Sequence, residues 1–242
     1  NKSMTAEAMV PVITNIRSTA KIRHAINLLL NWDHRLDRGS AAAALYDRWE
    51  QGMLLTLNKQ LLPNRSASAS QLISRPKLMA WMIRAPEFVF GENPKEGRDK
   101  MISKHLGAAI EGLNSEFGED NWVYGDIHFS SINHPLNTLL DADAKAALNL
   151  GPLPRGGGPN TLNANHGNGS QTSGASFRIV ADTADWSTAV GTNTPGQSGD
   201  PSSPYYRNLF ENWNKGDYFP LYFAKDVVEV NTRDYIKLNP AP

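Results

Sequence analysis

The sequence contains no cysteine. This excludes disulfide bonds, thiolate metal sites and a cysteine nucleophile, and it is compatible with both reducing and oxidising compartments. The chain also lacks an excess of either charge, because Lys plus Arg and Asp plus Glu both number 24. This balance argues against a basic patch, which is the feature that attracts nucleic acids and anionic membranes to a protein. We therefore expect no nucleic acid and no membrane among its partners.

Long apolar runs are absent as well. The sequence has no stretch of about 18 apolar residues, so we expect no transmembrane helix. The opening residues, Asn1-Lys2-Ser3-Met4, are not followed by the apolar segment that a signal peptide needs. With 242 residues, 40% of them hydrophobic and 20% charged, the chain has an ordinary globular composition and enough length to bury a core.

The front half of the sequence has helical periodicity. Thr5 is predicted to be the N-cap of a first helix, which continues with a shift of phase to Asn31. Ser40 is predicted to cap a second helix that ends before Pro63, so that the two form a helical hairpin. The other predictions for this half are a loop over residues 64–70, a helix over 72–83, a turn over 88–93 and a helix over about 99–117 that Gly118 ends.

The back half has a different character. Residues 151–158 are rich in Gly and Pro and residues 161–176 in Asn, Gly and Ser, a composition that favours turns and extended loops. Strands are predicted over residues 177–182 and 226–230, whereas 195–201 should contain no regular structure. The predicted class is thus α/β in the mixed sense, with a mainly helical segment over residues 1–150 and a strand and long-loop segment over 151–242.

His128 and His134 are the best candidates for a metal site. Residues six apart in a strand share a face, so two imidazoles could meet there, but no third ligand has metal-binding spacing. The alternative is that both are hydrogen-bonded structural residues near a turn, and the missing third ligand favours it. The sequence leaves open whether either has a further role.

Two glycine-containing segments resemble catalytic motifs only superficially. The run Gly156-Gly157-Gly158 lacks the Lys and Ser or Thr of a phosphate-binding loop and does not open a helix. Ser198 is misplaced for a nucleophile elbow, and we expect a rigid turn here in which Gly196 and Gly199 adopt positive φ.

Carboxylate pairs and tryptophans have similarly simple interpretations. The pairs Asp141 with Asp143 and Asp182 with Asp185 are explained by helix capping or turn hydrogen bonds. Among the six tryptophans, Trp32, Trp49 and Trp81 fit helix packing, and Trp122, Trp186 and Trp213 stand beside turn residues. No group of residues supports a catalytic, cofactor or metal site, and none is assigned.

The order of short motifs along the chain is more informative. Leu28-Leu29-Leu30-Asn31-Trp32-Asp33, followed by the Ser- and Ala-rich helix from Ser40 to Trp49, resembles the β chain of penicillin acylases. Further similarities to that family are Asn121-Trp122-Val123-Tyr124-Gly125 with His128, Phe129 and His134-Pro135-Leu136; Gly156-Gly157 with Thr161 and Asn163; Gly174-Ala175-Ser176-Phe177-Arg178 leading to Asp182 and Trp186; Pro195-Gly196-Gln197-Ser198-Gly199; and Pro201, Ser203-Pro204, Tyr206, Trp213, Gly216 and Tyr218-Phe219-Pro220-Leu221.

The resemblance implies an N-terminal nucleophile hydrolase with a four-layer αββα core. In that family a precursor cleaves itself to expose a Ser at the start of the β chain. The Ser attacks an amide carbonyl, its own α-amine is the base, and an Asn side chain with backbone N–H groups holds the oxyanion. None of these residues falls on a position of this sequence. Residue 1 is Asn, which has no nucleophilic hydroxyl, and Ser3 is not terminal.

The expected function follows from this partial match. We expect the C-terminal part of the β chain of an amidohydrolase, a fragment that is inactive without its nucleophile and has a scaffolding role. The expected partners are the upstream α chain and the N-terminal part of the β chain, and the isolated fragment is expected to self-associate. The family implies antibiotic metabolism or related acylase chemistry on a β-lactam side chain, an acyl-homoserine lactone or a similar substrate. It also implies a periplasmic or secreted enzyme, with no cofactor in this chain and any structural calcium upstream. The alternative is a non-catalytic carbohydrate- or ligand-binding module.

Overall fold

The computed structural model describes residues 1–16, 18–62, 73–166, 169–171 and 173–239. These residues combine α-helices with short β-strands, which confirms the mixed class. Two compact units are formed, one from Asn1–Ile132 and Gly151–Gly174 and the other from Asn133–Leu150 and Ala175–Pro242.

The helices are α1 Met4–Met9, α2 Ala20–Leu30, α3 Ala41–Leu61, α4 Arg75–Arg84, α5 Glu87–Phe90, α6 Pro94–Phe117, α7 Tyr124–Ile127, α8 Ala142–Leu148, α9 Phe210–Lys215 and α10 Lys225–Asn231. The strands are β1 Phe129–Ile132, β2 Leu150–Pro154, β3 Asn165–His166, β4 Ser170–Gln171, β5 Ser173–Gly174, β6 Arg178–Val180, β7 Val190–Thr192 and β8 Phe219–Pro220.

The prediction for the first helix is wrong about the residue at which the helix begins. It is also wrong that one helix continues to Asn31. Ser3 rather than Thr5 is the N-cap of α1, because the Ser3 Oγ accepts a backbone hydrogen bond from the first turn. The helix then changes into a 3-10 turn over Val10–Ile13 that contains Pro11. Proline has no N–H for the α-helical hydrogen bond, which accounts for the early end of α1. A separate helix, α2, begins behind a new cap at Thr19.

The long helix α3 is the centre of the first unit. Its predicted cap is confirmed, since the Ser40 Oγ accepts a hydrogen bond from Ala43 N at 3.1 Å. Apolar residues recur at helical spacing along its buried side and pack against α2 and α6. The two largest of these buried side chains are Trp49 and Tyr46.

The helices that follow α3 agree in type with the prediction and differ in their bounds. Ser74 caps α4, and α6 begins at Pro94, about a turn earlier than predicted, because Pro is well suited to the first position of a helix. Gly118, with φ of +94°, ends α6 as expected. The short helix α5 lies partly in the predicted turn over residues 88–93. The predicted loop over residues 64–70 lies outside the described residues.

Two small sheets complete the first unit. One has the strand order β2-β1-β4, in which β1 runs parallel to β4 with Phe129 opposite Ser170. The other is the antiparallel pair β3 and β5. His128 comes directly before β1 and Arg155 directly after β2. The first sheet therefore brings these two residues side by side.

The second unit contains the antiparallel sheet β6-β7-β8, together with α8, α9 and α10. The strand predicted over residues 177–182 is confirmed as β6, and residues 195–201 contain neither helix nor strand, as predicted. The strand predicted over 226–230 is wrong, because this segment is α10. Lys225 and Glu229 form an ion pair one helical turn apart, an arrangement that an extended strand cannot make. Within the described residues no helix is both long enough and apolar enough to cross a membrane.

Candidate functional site: buried polar clusters of the first unit

His128 is buried and is hydrogen-bonded through both ring nitrogens. Its Nδ1 lies 2.8 Å from Arg155 O and its Nε2 lies 2.9 Å from Asn165 Oδ1. His134 belongs to the second unit, where its Nδ1 accepts a hydrogen bond from Leu136 N at 3.2 Å. Both histidines are therefore the hydrogen-bonded residues of the simpler interpretation, and His128 has no nitrogen left for a metal ion. No group of three His, Cys, Asp or Glu residues with the arrangement of a metal site occurs in the described part of the chain.

An aromatic ring covers the face of this imidazole. The ring of Tyr124 stacks on His128 with a centroid distance of 4.7 Å and an interplanar angle of 9°. Its hydroxyl donates a hydrogen bond to Gly157 O at 2.9 Å. The neighbouring Gly125 is closely packed as well, since a Cβ there would lie 2.7 Å from Pro154 Cβ. Tyr124, Gly125 and His128 therefore pack α7 closely against the strands.

The glycine run Gly156-Gly157-Gly158 packs against other backbone and does not form a phosphate cradle. Gly157 N donates to Leu36 O at 2.7 Å, and Gly158 N donates to the hydroxyl of Thr161 at 3.0 Å. Gly157 has φ of +88°, and a Cβ there would lie 2.4 Å from Asn163 O. The glycines are needed for this close approach, and these two N–H groups are already engaged.

Arg155 is completely buried beside the same glycines. One of its guanidinium nitrogens, Nη2, donates to Asn163 Oδ1 at 2.6 Å. Asn163 in turn donates from Nδ2 to Gly156 O, and Asn165 Nδ2 donates to Asn163 O. Since burying a polar group is costly unless it is hydrogen-bonded, these side chains hold one another in place. The segment with Gly156, Thr161 and Asn163 is therefore a structural element of the first unit.

A second polar cluster lies against the buried side of α3. Glu50 accepts a hydrogen bond from the Tyr46 hydroxyl at 2.8 Å on Oε1 and one from Arg75 Nε at 2.6 Å on Oε2. The Tyr46 hydroxyl is also 3.3 Å from the Thr5 hydroxyl, which lies 3.1 Å from Ser3 Oγ. These five side chains link α1, α3 and α4.

Burial dominates the electrostatics of this cluster. It raises the pKa of Glu50, and the positive charge and hydrogen bond of Arg75 only partly oppose the rise. Burial also raises the pKa of Tyr46 well above its ordinary value, and the negative charge of Glu50 adds to that rise. The Tyr46 phenol therefore stays protonated and acts as the donor to the carboxylate.

The cluster surrounds a small cavity of about 10 Å³, which is the size needed for one water molecule. Ser3, Thr5, Tyr46 and Glu50 contribute to its wall. Ser3 is 2% exposed and accepts the capping hydrogen bond of α1, so its hydroxyl is already engaged in structure. The arrangement joins helices and has no space for a substrate.

Sequence reasoning missed the ion pair of this cluster. Glu50 lies on the same face of α3 as Tyr46 and Met53, four and three residues away, and this face is otherwise apolar. A charged residue in such a position predicts a buried partner. That partner, Arg75, follows the residues that the structure does not describe, and no sequence spacing identifies it.

In the second unit, residues of the motifs that resemble the family also have packing roles. Arg178 Nη2 donates to Trp213 O at 2.6 Å, and its guanidinium lies 5.7 Å from the ring centroids of both Trp213 and Tyr218. The Trp213 indole donates to Ala175 O at 3.1 Å. This interaction of a cation with two aromatic faces fixes β6 to α9.

The segment around Ser198 is irregular and is hydrogen-bonded to Tyr205, and the positive φ expected for its glycines is wrong. Neither Gly196 nor Gly199 has a positive φ. Position 196 needs a glycine because a side chain has no room there: a Cβ would lie 2.1 Å from Tyr205 O. That carbonyl accepts hydrogen bonds from Gln197 N and Ser198 N, which closes the turn.

The remaining candidates agree with the structural interpretation. Asp141 Oδ1 caps α8 by accepting from Ala144 N, and Asp182 and Asp185 accept hydrogen bonds from backbone N–H groups two residues ahead. The Trp122 indole is buried and donates to the Asn114 side chain. Trp186, by contrast, is 55% exposed.

Comparisons with known proteins agree with the motif order. The family model described as penicillin amidase matches residues 1–230. An acyl-homoserine lactone acylase QuiP from Pseudomonas syringae pv. syringae is 30% identical over 82% of this chain and 26% of its own length. The penicillin acylase 2 proenzyme of Pseudomonas sp. strain SE83 is 26% identical over 88% of this chain and 28% of its own length. A thermostable penicillin G acylase structure from Alcaligenes faecalis covers all of this chain and 47% of its own, with a TM-score of 0.49 and 16% identity.

The length of the match is as informative as its identity. The chain spans about a quarter of the length of the curated relatives that it matches. Within the chain the match is nearly complete, since the family model extends from residue 1 to residue 230. The chain belongs to the penicillin amidase family.

Proposed function

We propose that this chain is the C-terminal part of the β chain of an autoprocessed acylase that hydrolyses the amide bond between an acyl group and an amine. The observation that carries the proposal is the family match over residues 1–230, combined with coverage of only 26% of the relatives' length. The nucleophilic Ser and its α-amine base then belong to the preceding part of the precursor. This chain is a scaffold for that site and is inactive without it.

The use of polar side chains supports a scaffolding role. His128, Glu50 and Arg155 are the kinds of residue that take part in catalysis, and all three are buried. The hydrogen bonds of His128 and Glu50 go to neighbouring elements of the first unit. A catalytic group must instead reach a substrate, so these residues fit a role in holding the fold.

The exposed apolar side chains of the second unit support a large partner. Ile179 and Val180 of β6 are 56% and 58% exposed, and Phe223 is 68% exposed. Where exposed apolar side chains form a contiguous surface, that surface is an interaction site. We propose that the α chain and the preceding part of the β chain of the same precursor cover it in the mature enzyme. The same surface would make the isolated chain self-associate.

The substrate class is proposed from the relatives. Several are named acyl-homoserine lactone acylases and one is named a penicillin acylase proenzyme. We therefore propose N-acyl-homoserine lactones first and β-lactam acyl side chains second. A periplasmic or secreted location, the four-layer core and any structural calcium in the upstream part belong to the same proposal.

The test compares the complete parent protein with this chain alone. Both are incubated with an N-acyl-homoserine lactone and with penicillin G, and the released carboxylic acid is measured. The parent is expected to release acid from at least one substrate, and the chain alone from neither. The upstream part expressed separately should regain activity when this chain is added. Activity of the chain alone, or of the upstream part without it, would contradict the scaffolding role.

One observation favours the alternative of a binding module. The exposed Trp186 ring lies 5.7 Å from the Phe223 ring, which gives an aromatic surface of the kind that sugars contact. Saturable glycan binding by the monomeric chain that Trp186→Ala removes would support this alternative. If no glycan binds, contact with the proposed upstream chains is the remaining explanation for the exposed Trp186 and Phe223 rings.

A further inference from the structure

The sheet β6-β7-β8 of the second unit has two outer edges, one on β6 and one on β8. Each of these strands pairs with β7 on one side, and no described strand pairs with it on the other. A free strand edge presents N–H and C=O groups to which another strand can bind. Whether an edge is open depends on the residues whose backbone groups point outward.

The register identifies the residue at the β6 edge. Leu221 N donates to Ala189 O at 2.8 Å, so residue 189 points this carbonyl toward the β8 side. Backbone groups alternate in direction from one residue to the next, so those of Val190 point toward β6, where Val180 lies opposite. By the same alternation the N–H and C=O of Ile179 point away from β7. They therefore lie at the free edge.

The opposite edge of the sheet is closed by a proline. Pro220 of β8 lies opposite Val190, whose backbone groups point toward β6. The backbone of Pro220 therefore points outward, and proline has no N–H to donate there. A proline in this position protects an edge strand from further pairing. β6 contains no proline, so the sheet is open to extension on the β6 side.

Both faces of β6 carry exposed apolar side chains at this edge. Successive side chains of a strand point to opposite faces, so Ile179 lies on one face and Val180 on the other. These side chains are 56% and 58% exposed. A strand with one face in water alternates apolar and polar residues, whereas a strand covered on both faces is apolar throughout. The side chains of β6 thus fit a strand in the interior of a larger, covered sheet.

We propose that an extended segment from the preceding part of the precursor adds a strand to this sheet and pairs with Ile179 at the β6 edge. This inference rests on the proposed function, which makes the chain part of a larger acylase. The chain spans only 26% of the length of a curated relative, so most of such a precursor is left to supply the strand. A second copy of this chain fits less well, because three-residue strands bury far less than the roughly 1,200 Å² of a stable interface.

The test is residue-resolved hydrogen–deuterium exchange of the complete parent protein, with acylase activity measured on the same sample. The Val180 amide points toward β7 and is protected with or without a partner strand. We expect the Ile179 amide to exchange as slowly as that of Val180, within about tenfold. An Ile179 amide that exchanges faster than this would overturn the inference. If that protein is an active acylase, the proposed function nevertheless stands, so the two failures are distinguishable.

The source of the strand is tested by dilution. Exchange is measured at two protein concentrations, with the oligomeric state determined by analytical ultracentrifugation. Protection of Ile179 in the monomeric parent is the expected result. Protection that is lost when a dimeric parent is diluted to its monomer would place a second copy at the edge and overturn the proposal.

Substitution of Ile179 separates strand pairing from coverage of its side chain. Ile179→Pro removes the outward N–H and spares the hydrogen bonds between β6 and β7, because proline is accepted where an edge N–H points outward. Ile179→Ala is the matched control, since it also shortens the side chain but keeps the N–H. In the complete parent, Ile179→Pro should lower the Tm more than Ile179→Ala does. Equal Tm values of the two variants would overturn the proposal.

Discussion

Arg75 donates a hydrogen bond of 2.6 Å to Glu50, and this ion pair connects α4 to the buried side of α3. The Glu50 side chain is only 3% exposed and that of Arg75 is 19% exposed. In water such a pair contributes little, but here neither charge can easily recover its hydration. The pair therefore has its largest effect on the free energy of unfolding when one of the two residues is removed.

Arg75→Met should destabilise the fold by about 3 kcal/mol, because it leaves the Glu50 carboxylate buried with no positive partner. Urea unfolding followed by circular dichroism measures the change. Lys100→Met is the control, since Lys100 pairs with Glu96 on the exposed surface of α6 and its removal should leave the free energy of unfolding nearly unchanged. Equal effects of the two substitutions would show that Glu50 and Arg75 are not buried together.

The pH dependence of the free energy of unfolding should show that the pKa of Glu50 is raised in the folded state. Its pKa in the folded state is raised above the ordinary value of 4.5, so between these two values the folded chain binds more protons than the unfolded chain. Stability due to this group is therefore lost as the pH rises through that window. The free energy of unfolding of the unmodified chain should fall relative to that of Glu50→Gln as the pH is raised from 4.5. If the free energy of unfolding of the unmodified chain stays constant or rises relative to that of Glu50→Gln as the pH increases, the pKa of Glu50 in the folded state is not raised.

Much of the helical half could be predicted because its signals are local. The cap at Ser40 and the stop at Gly118 each depend on a few neighbouring residues, and both are confirmed. The error at Ser3 and Pro11 arose because apolar spacing continued through a residue that cannot make the helical hydrogen bond. The error at residues 226–230 arose because a short Val-rich run has no strict alternation, and strand formation depends on a neighbour.

The polar clusters could be predicted only in part, because their members come from distant parts of the chain. For His128 the sequence favours a hydrogen-bonded structural role over a metal site, but it does not identify the partner Asn165, which lies 37 residues away. The role of Glu50 was missed for the same reason, since Arg75 lies 25 residues away. The motif order identified the family without requiring any of these contacts.

Gly157→Ala should be strongly destabilising. The residue has φ of +88°, and its new Cβ would lie 2.4 Å from Asn163 O, so strain and a clash combine to a cost of more than about 2 kcal/mol. Gly39→Ala is the matched control, because no atom of the described residues lies within 4 Å of that Cβ position and Gly39 does not have a positive φ. The control should change stability by less than about 1 kcal/mol in thermal unfolding. A Gly157→Ala protein as stable as the control would contradict the packing described for the glycine run.

Zinc should not stabilise the chain. Both His128 nitrogens are occupied, so addition of zinc or of a chelator is expected to leave the Tm unchanged. Asn165→Ala should instead lower stability by about 1–3 kcal/mol, because it leaves His128 Nε2 buried without its partner. A rise in Tm with zinc that His128→Ala abolishes would restore the metal-site hypothesis.

We propose that this chain is part of a larger acylase. Intact-mass spectrometry with N-terminal sequencing of the protein from its natural source tests that claim most directly. We expect these residues to belong to a longer polypeptide that begins with Ser and is accompanied by a separate upstream chain. A natural polypeptide that begins near Asn1 and has no accompanying chain would contradict it.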